Sequence, residues 1–286
     1  MKKLLALAMM VCAFMSCTSK EDSPIQEVVK PLSNPVTSYL PYDRILKTPM
    51  DQYYDKVFEG TEGSLNYRML FPKNYDPAKQ YPLIVVLHGL GERGNDNQRQ
   101  LSNGGAFFLE DGFRNQHQAI VVFPQCPTST RWDSKVAGKD KLKWFWKYKE
   151  EPTPYLSLVM KLVNDLQAKK VVDTKQMYAM GISSGAMGTY ELCYRMPKTF
   201  AAAVVMSGGG NPQDIVDHCS KMAFRIMHGD ADGVVDISYA NHMVQAMKDA
   251  KMEVKQDVFP GIGHGPWNDP MFTTPGLMDW LFSHHK

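Results

Sequence analysis

A serine lies between two glycines in the segment Gly181–Gly185, which reads G-I-S-S-G. An apolar run that predicts a short strand, Met177–Met180, precedes this segment, and a helical pattern follows from about Ala186 to Met196. A turn from strand to helix lifts the central hydroxyl above the edge of a sheet, and glycines permit the tight backbone that this needs. The setting predicts that Ser183 is a nucleophile. The alternative is an inert serine in a glycine-rich turn.

A serine hydroxyl needs an imidazole that accepts its proton and a carboxylate that holds the imidazole in the right tautomer. His264 follows the predicted strand Val254–Phe259 in a loop with three glycines, where it could reach Ser183. We therefore expect His264 to be the base. Other histidines fall in predicted surface or tail positions, namely His218, His242, His284 and His285.

Three aspartates are candidates for the acid, because Asp230, Asp232 and Asp236 all follow the predicted strand Ala223–Met227. Asp236 could instead cap the helix that begins near Ser238. Asp230 could be a turn residue, and the spacing alone leaves the choice open.

A developing oxyanion needs two preorganised backbone N–H groups. One is expected from Ser184, the residue after the nucleophile, and the other from Leu90 in the glycine-rich loop after an early strand. His88 begins the same loop, and we expect a structural role for it beneath the loop rather than a catalytic one.

The elements that must position these residues alternate between strands and helices. Further strands are predicted over Leu65–Phe71, Tyr81–Leu87, Gln118–Phe123 and Ala201–Met206, and further helices over Tyr155–Gln167, Ser238–Ala250 and Leu277–His284. Such alternation indicates an α/β class with a mostly parallel central sheet and helices on both faces.

The length of 286 residues and the 44% hydrophobic content fit one large catalytic domain, expected over residues 46–286. Basic and acidic residues nearly balance, with a formal net charge of +2. No bulk field therefore indicates a nucleic acid partner, and the sequence does not predict an oligomeric state.

The amino terminus predicts secretion. Lys2 and Lys3 precede an apolar run, Leu4–Met15, that is too short to span a bilayer as a mature helix. Cys17 follows in a setting that resembles the lipobox of bacterial lipoproteins, and residues 18–45 predict a polar tether. We expect a signal peptide over residues 1–17, lipidation of Cys17 and an extracytoplasmic protein anchored to a membrane. An ordinary cleaved signal is the alternative.

Three cysteines remain after this signal: Cys126, Cys193 and Cys219. An odd set cannot pair completely, and the sequence does not decide whether Cys193 pairs with Cys219. No C-x-x-C motif and no cysteine–histidine cluster at zinc spacing is present, so neither a metal nor a redox site is predicted.

The segment 127–154 is long for a connection and rich in aromatic residues. Trp132, Trp144 and Trp146 could stack against the apolar faces of sugars, or the segment could simply cover the site by packing.

Five strings in this sequence resemble esterase-like α/β-hydrolases, a group related to carbohydrate esterase family 1, dienelactone hydrolase and the catalytic domain of prolyl oligopeptidase. The strings are LHGLGERGNDN (87–97), PQCP (124–127), GISSG (181–185), HGDADGVV (228–235) and GHGPWND (263–269). The resemblance covers roughly residues 60 to 286. It implies an α/β-hydrolase fold, Asp232 as the acid, and ester hydrolysis through an acyl-enzyme without a cofactor.

The same resemblance suggests residues that contact substrate. Trp267 would line the site beside His264, unless it is a core residue, and Trp132 and Gln125 are further candidates. Glu92 and Arg93 are expected to brace the oxyanion loop rather than to shape an acyl pocket.

The expected substrate is a carbohydrate-linked ester, with acetyl or feruloyl groups on plant polysaccharide. A serine peptidase of the prolyl-oligopeptidase clan is one alternative, although the sequence has no propeller. A catalytically silent glycan-binding lipoprotein is another.

Overall fold

The predicted alternation of strands and helices produces a nine-stranded sheet with helices on both faces. The computed structural model describes residues 27–28, 50–136, 147–265 and 267–286. The strands are β1 (Glu27–Val28), β2 (Tyr54–Gly60), β3 (Gly63–Leu70), β4 (Tyr81–Leu87), β5 (Ile120–Pro124), β6 (Lys135–Val136), β7 (Lys147–Tyr148), β8 (Val172–Ile182), β9 (Ala202–Met206), β10 (Ala223–Gly229) and β11 (Val254–Phe259). The helices are α1 (Asp111–Gln116), α2 (Pro154–Ala168), α3 (Ser184–Arg195), α4 (Pro212–His218), α5 (Ser238–Asp249) and α6 (Leu277–Phe282).

The order of strands across the sheet is β1-β11-β10-β9-β8-β4-β5-β3-β2. The first seven strands in this order, which end with β5, each run parallel to their neighbours. Strand β3 runs antiparallel to both β5 and β2. Strands β6 and β7 form a separate antiparallel pair. The predicted fold class, a mostly parallel sheet covered on both faces, is confirmed.

Strand β4 shows why the central strands are continuously apolar. Leu83, Val85 and Leu87 face one hydrophobic cluster, together with the apolar sides of α2, α3 and α5. Ile84 and Val86 point into a second cluster on the opposite face. Because successive side chains of a strand alternate between the faces, a strand covered on both sides needs an apolar residue at every position.

The hairpin of β2 and β3 closes one edge of the sheet, and β2 was not predicted. Most residues of β2 are exposed, so the strand lacks the apolar alternation that a half-buried strand shows. Charged residues on an outer strand also discourage pairing with another molecule. Strand β2 is therefore recognised only by its pairing with β3, and the sequence pattern of β2 itself does not predict that pairing.

Several sequence predictions lie outside the described residues. These are the signal peptide with Cys17, the tether apart from residues 27 and 28, and the tryptophans Trp144 and Trp146. Within the described ranges, no helix combines the length and the apolarity needed to cross a bilayer.

Cys126, Cys193 and Cys219 are free, buried thiols. Burial raises the pKa of Cys126 and of Cys219 to about 12, and it raises that of Cys193 as well. Thiols in this state remain protonated near neutral pH, and the thiolate is the reactive form. The structure therefore gives these side chains a place in the core.

A buried ion pair joins the last two strands before the carboxyl terminus. The Arg225 guanidinium on β10 donates to both carboxylate oxygens of Asp257 on β11, at 2.5 and 3.3 Å. The two side chains are 4% and 0% exposed. Removing one partner of such a pair leaves the other charge buried and uncompensated.

We expect Arg225→Met to lower the free energy of unfolding by about 3 to 5 kcal/mol, because Asp257 loses its counter-charge. Urea denaturation measures this change. The double variant Arg225→Met/Asp257→Leu should regain most of the loss, since no charge is then buried. Lys169→Met removes a partner of the more exposed Lys169–Asp165 pair and should cost less than about 1 kcal/mol. A loss for Arg225→Met no larger than that of this control would show that the buried pair does not stabilise the fold.

Candidate active site

The turn at Ser183 connects the end of β8 to the start of α3. Its backbone adopts φ 52° and ψ −118°, a conformation that few residues other than glycine occupy. A Cβ atom on Gly181 would lie 2.3 Å from the carbonyl oxygen of Gly185, and one on Gly185 would lie 2.0 Å from that of Leu87. The two glycines therefore let α3 start against the end of β4, and this contact holds Ser183 in its strained position.

The imidazole of His264 reaches Ser183 from the loop after β11. Its Nε2 lies 2.9 Å from the Ser183 Oγ, and its Nδ1 lies 2.7 Å from the Asp232 Oδ2. An ionised carboxylate can only accept, so Nδ1 carries the proton and Nε2 is the acceptor for the serine hydroxyl. The three side chains form a continuous line of hydrogen bonds from the Asp232 carboxylate to the Ser183 hydroxyl.

The loop after β10 fixes Asp232 in this line. Its Oδ1 accepts hydrogen bonds from the backbone N–H groups of Val234 and Val235, both at 2.9 Å. Burial alone would raise the pKa of Asp232, but the hydrogen bonds from Val235, His264 and Val234 together lower it below its ordinary value. The Asp232 carboxylate is therefore ionised near neutral pH, next to the His264 imidazole.

The two competing aspartates have other partners. The Asp230 carboxylate accepts from the backbone N–H of Gly261 at 2.6 Å, and it ties the loop after β10 to the loop after β11. The Asp236 carboxylate accepts from the N–H of Ser238 at 2.8 Å, in the first turn of α5. The structure thus brings Asp232, and neither of these two, into contact with His264.

His228 is a neighbour of Asp232 that the sequence analysis did not single out. Its Nε2 lies 2.8 Å from the carbonyl oxygen of Val235 and 3.3 Å from the Asp232 Oδ2. The ring is fully buried, and burial lowers its pKa. A neutral ring with its proton on Nε2 donates to the Val235 carbonyl oxygen and lies against the Asp232 carboxylate, so His228 supports the loop that holds Asp232. The string HGD at the end of β10 is the sequence feature from which a role for His228 could have been predicted.

The predicted oxyanion donors occupy the starts of two helical segments. Ser184 is the first residue of α3, and Leu90 is the first residue of a 3-10 turn over Leu90–Glu92. First-turn N–H groups have no acceptor within their own helix. A Cβ atom on Gly89 would lie 3.5 Å from the Cβ of Ser183, so the Leu90 turn lies directly beside Ser183.

His88 supports this turn from below. Its Nε2 accepts from the backbone N–H of Cys126 at 2.9 Å, so its proton lies on Nδ1, which donates to the carbonyl oxygen of Gly89 at 2.6 Å. Burial lowers its pKa to about 4. These contacts give His88 the structural role that was expected, in its neutral form.

Arg93 also braces the oxyanion turn, as the sequence analysis expected. Its guanidinium donates to the carbonyl oxygen of Leu90 at 3.0 Å and to those of Thr128 and Thr130 at 3.0 and 2.9 Å. All three acceptors belong to the backbone, so Arg93 joins two loops and is not aimed at a substrate.

Two predicted substrate contacts need correction, because Trp132 and Gln125 are each only 1% exposed. The Trp132 ring packs between the end of β4 and α3, and its Nε1 donates to the carbonyl oxygen of His88 at 3.0 Å. Gln125 accepts from the N–H of Asn97 at 2.7 Å and donates to the Asp96 carboxylate at 2.8 Å. Both side chains hold loops together, and Trp132 has no free face for a sugar.

Trp267 lies beside His264, with the ring centroids 5.1 Å apart and the planes nearly perpendicular. Its Nε1 donates to the Ser207 Oγ at 3.2 Å, and it is 9% exposed. Ser207 is fully buried and also has a positive φ of 52°. The geometry therefore shows a wall that orients the imidazole, with only a narrow rim available to a ligand.

A polar network missed by the sequence analysis connects the oxyanion turn with the histidine loop. Asn268 donates to Asn103, and Asn103 donates to the Glu92 carboxylate, both at 3.1 Å. Burial raises the pKa of Glu92, and its Oε2 is buried without a hydrogen-bond partner. Glu92 thus braces the loop, as expected, through Asn103, which in turn accepts from Asn268 of the histidine loop.

A family model described as Phospholipase/Carboxylesterase matches residues 75–274, which include all the residues of this site. The chain belongs to the phospholipase/carboxylesterase family. The protein named "Probable feruloyl esterase C" from Aspergillus terreus is 28% identical over 187 residues, which are 63% of this chain and 60% of that protein. The chain therefore spans less than two thirds of the length of this curated relative.

Several solved structures of esterases resemble this chain. A thermostable esterase is 27% identical with a TM-score of 0.73, over 83% of this chain and 64% of its own. Thermogutta terrifontis esterase 2, phosphorylated by paraoxon, shares 16% identity over 82% and 92% with a TM-score of 0.56. A CE1 ferulic acid esterase from Anaeromyces mucronatus shares 16% over 76% and 85% with a TM-score of 0.53. At 16% identity, the last two similarities show a shared fold only.

The buried neutral ring of His88 should make the stability of this family member depend on pH. The unfolded chain takes up a proton near pH 6.5, whereas the folded one does so only near pH 4. Stability is therefore lost as pH falls from 6.5 to 4, by about 3 kcal/mol in total from this group.

His88→Gln keeps an acceptor near the Cys126 N–H but cannot titrate. Urea denaturation at pH 7 and pH 4 should show a fall in the free energy of unfolding that is about 3 kcal/mol smaller for this variant than for the parent. His242→Gln, on the partly exposed surface of α5, is the control and should keep the fall of the parent. An equal fall in parent and His88→Gln would contradict the assignment.

Proposed function

We propose that this protein hydrolyses carboxylic esters through an acyl-enzyme on Ser183. The observation that carries the proposal is the line of hydrogen bonds from Asp232 through His264 to Ser183, at 2.7 and 2.9 Å. Membership of the carboxylesterase family supports it independently.

In the first half-reaction the Ser183 Oγ attacks the ester carbonyl carbon while its proton moves to the His264 Nε2. The carbonyl oxygen becomes an oxyanion, which accepts hydrogen bonds from the N–H groups of Ser184 and Leu90. Asp232 stabilises the imidazolium through Nδ1. The ester C–O bond then breaks, and the imidazolium returns its proton to the departing alcohol oxygen.

The second half-reaction repeats these steps with water. His264, neutral again, removes a proton from water as the oxygen attacks the acyl carbon. The bond to Ser183 then breaks, and the serine oxygen recovers the proton from the imidazolium. The sum is an ester and water converted to an acid and an alcohol, and no step needs a cofactor.

For the substrate we propose acetyl or feruloyl esters on plant polysaccharide. The support is the similarity to the protein named a feruloyl esterase and to a ferulic acid esterase structure. Trp132 gives no support to a sugar-linked substrate, since its ring is buried. The amino-terminal pattern around Cys17 supports action outside the cytoplasm from a lipid anchor.

Ser183→Ala should lower kcat for p-nitrophenyl acetate by about 10⁴-fold or more, because the nucleophile and base act as a unit. Release of p-nitrophenol by the purified protein measures this, and Ser220→Ala, at an exposed turn, should match the parent. Paraoxon should add a phosphoryl group to the parent, detectable by mass spectrometry, and none to Ser183→Ala. Full activity of Ser183→Ala would exclude the proposed nucleophile.

Two matched aspartate variants distinguish the acid. Asp232→Asn should reduce kcat by about 10⁴-fold, because an amide stabilises the wrong tautomer of His264. Asp230→Asn changes charge in the same loop but only weakens the contact to Gly261, so activity should stay within a few-fold of the parent. The same steady-state assay compares the two, and the reverse order of effects would assign the role to Asp230.

A panel of feruloyl esters, acetylated xylan and aminoacyl-proline amides tests the substrate class. Hydrolysis of the first two supports the proposal. Preferential cleavage of the third would favour a peptidase, and inactivity on all substrates including p-nitrophenyl acetate would favour a silent glycan-binding protein.

A further inference from the structure

A concave surface lies on the outer edge of the sheet, away from Ser183. We call it the edge depression. It has a volume of about 560 Å³, within the range of ligand pockets, and its walls include Tyr54, Lys56, Phe71, Lys73, Tyr75 and Arg114. Strand β2 is four positions from β8 in the sheet, which is roughly 19 Å at about 4.8 Å per strand. The depression is therefore separate from the active site.

Three aromatic rings form a supported apolar platform in the edge depression. The Phe71 centroid lies 5.5 Å from that of Tyr54 and 4.5 Å from that of Tyr75, and Tyr75 in turn packs against the buried Tyr81. Tyr54 is nonetheless 57% exposed. Rings held in place by one another lose little freedom when a ligand covers them, which favours binding.

Three cations surround this platform. Arg114 is held by the side chain of Gln52 and by the carbonyl oxygen of Phe71, so its partners are uncharged and its positive charge is not neutralised. Lys56 lies 5.9 Å from the centre of the Tyr54 ring and makes no ion pair among the residues that the structure describes. Lys73 is paired with Asp111 at 2.9 Å.

No aspartate or glutamate is among the residues that line the edge depression. The site therefore combines an apolar aromatic surface with a net positive potential. A ligand that matches both must present an apolar face and a negative charge, which excludes neutral sugars and simple inorganic anions as the best fit.

We propose that the edge depression binds an acidic oligosaccharide, a sugar chain that carries uronic acid carboxylates. The C–H face of a sugar ring would cover Tyr54 and Phe71, and a carboxylate would pair with Lys56 or Arg114. The choice of a sugar among anionic ligands rests on the proposed function. The edge depression would hold a polysaccharide while an ester on the same polymer occupies the active site.

Affinity electrophoresis of the full chain with Ser183→Ala tests the binding without turnover. Glucuronoxylan or polygalacturonate in the gel should retard the protein, and neutral arabinoxylan should retard it much less. Tyr54→Ala and Lys56→Gln should each raise the apparent Kd for the acidic polymer, measured from the retardation, about tenfold. Lys248→Gln removes the same charge from an exposed position on α5 and should behave like the parent.

Equal retardation by neutral and acidic polymers, or unchanged retardation in both Tyr54→Ala and Lys56→Gln, would overturn the proposal, as would the absence of any retardation. In the protein that keeps Ser183, Tyr54→Ala and Lys56→Gln should leave the hydrolysis of p-nitrophenyl acetate unchanged. This second measurement separates the two proposals. If the parent protein does not hydrolyse the ester, the proposed esterase activity is wrong. If acidic polymers do not retard the Ser183→Ala protein, only the proposed ligand of the edge depression is wrong.

Discussion

The close approach of α3 to the end of β4 is the contact on which the site depends. Gly185 leaves so little space that a single added carbon would lie 2.0 Å from the carbonyl oxygen of Leu87. This contact forces Ser183 into a positive φ and sets its hydroxyl at the carboxyl edge of the sheet. Local strain of this kind persists only when the surroundings hold it, and here two packed layers of core do so.

The loops around Ser183 are joined mainly by polar side chains that do not touch a reacting atom. His88 and Arg93 bind backbone carbonyl groups beneath and beside the oxyanion turn, and Asn268 connects that turn to the histidine loop through Asn103. Backbone donors can stabilise an oxyanion only if they are already oriented before the reaction. These polar and charged side chains near the site therefore hold its loops in place and do not contact the reacting atoms.

Charge is distributed unevenly between the Ser183 site and the edge depression. The active site contains a carboxylate that hydrogen bonds keep ionised, next to a buried neutral histidine, His228. The edge depression is lined by cations and aromatic rings. Under the proposed function this division is useful, because a polymer bound at the edge depression would raise the local concentration of ester near Ser183.

The sequence alone determined the α/β class, most strand and helix positions, and the identities of Ser183 and His264 as candidates. These depend on local periodicity and on glycine-flanked turns, which a short stretch of chain encodes. Only the tertiary structure decided that Asp232 contacts His264, that Trp132 and Gln125 are buried, and that β2 forms an edge strand. Those facts depend on which distant surfaces meet, and a tryptophan that fills a gap between β4 and α3 has the same local pattern as one that faces solvent.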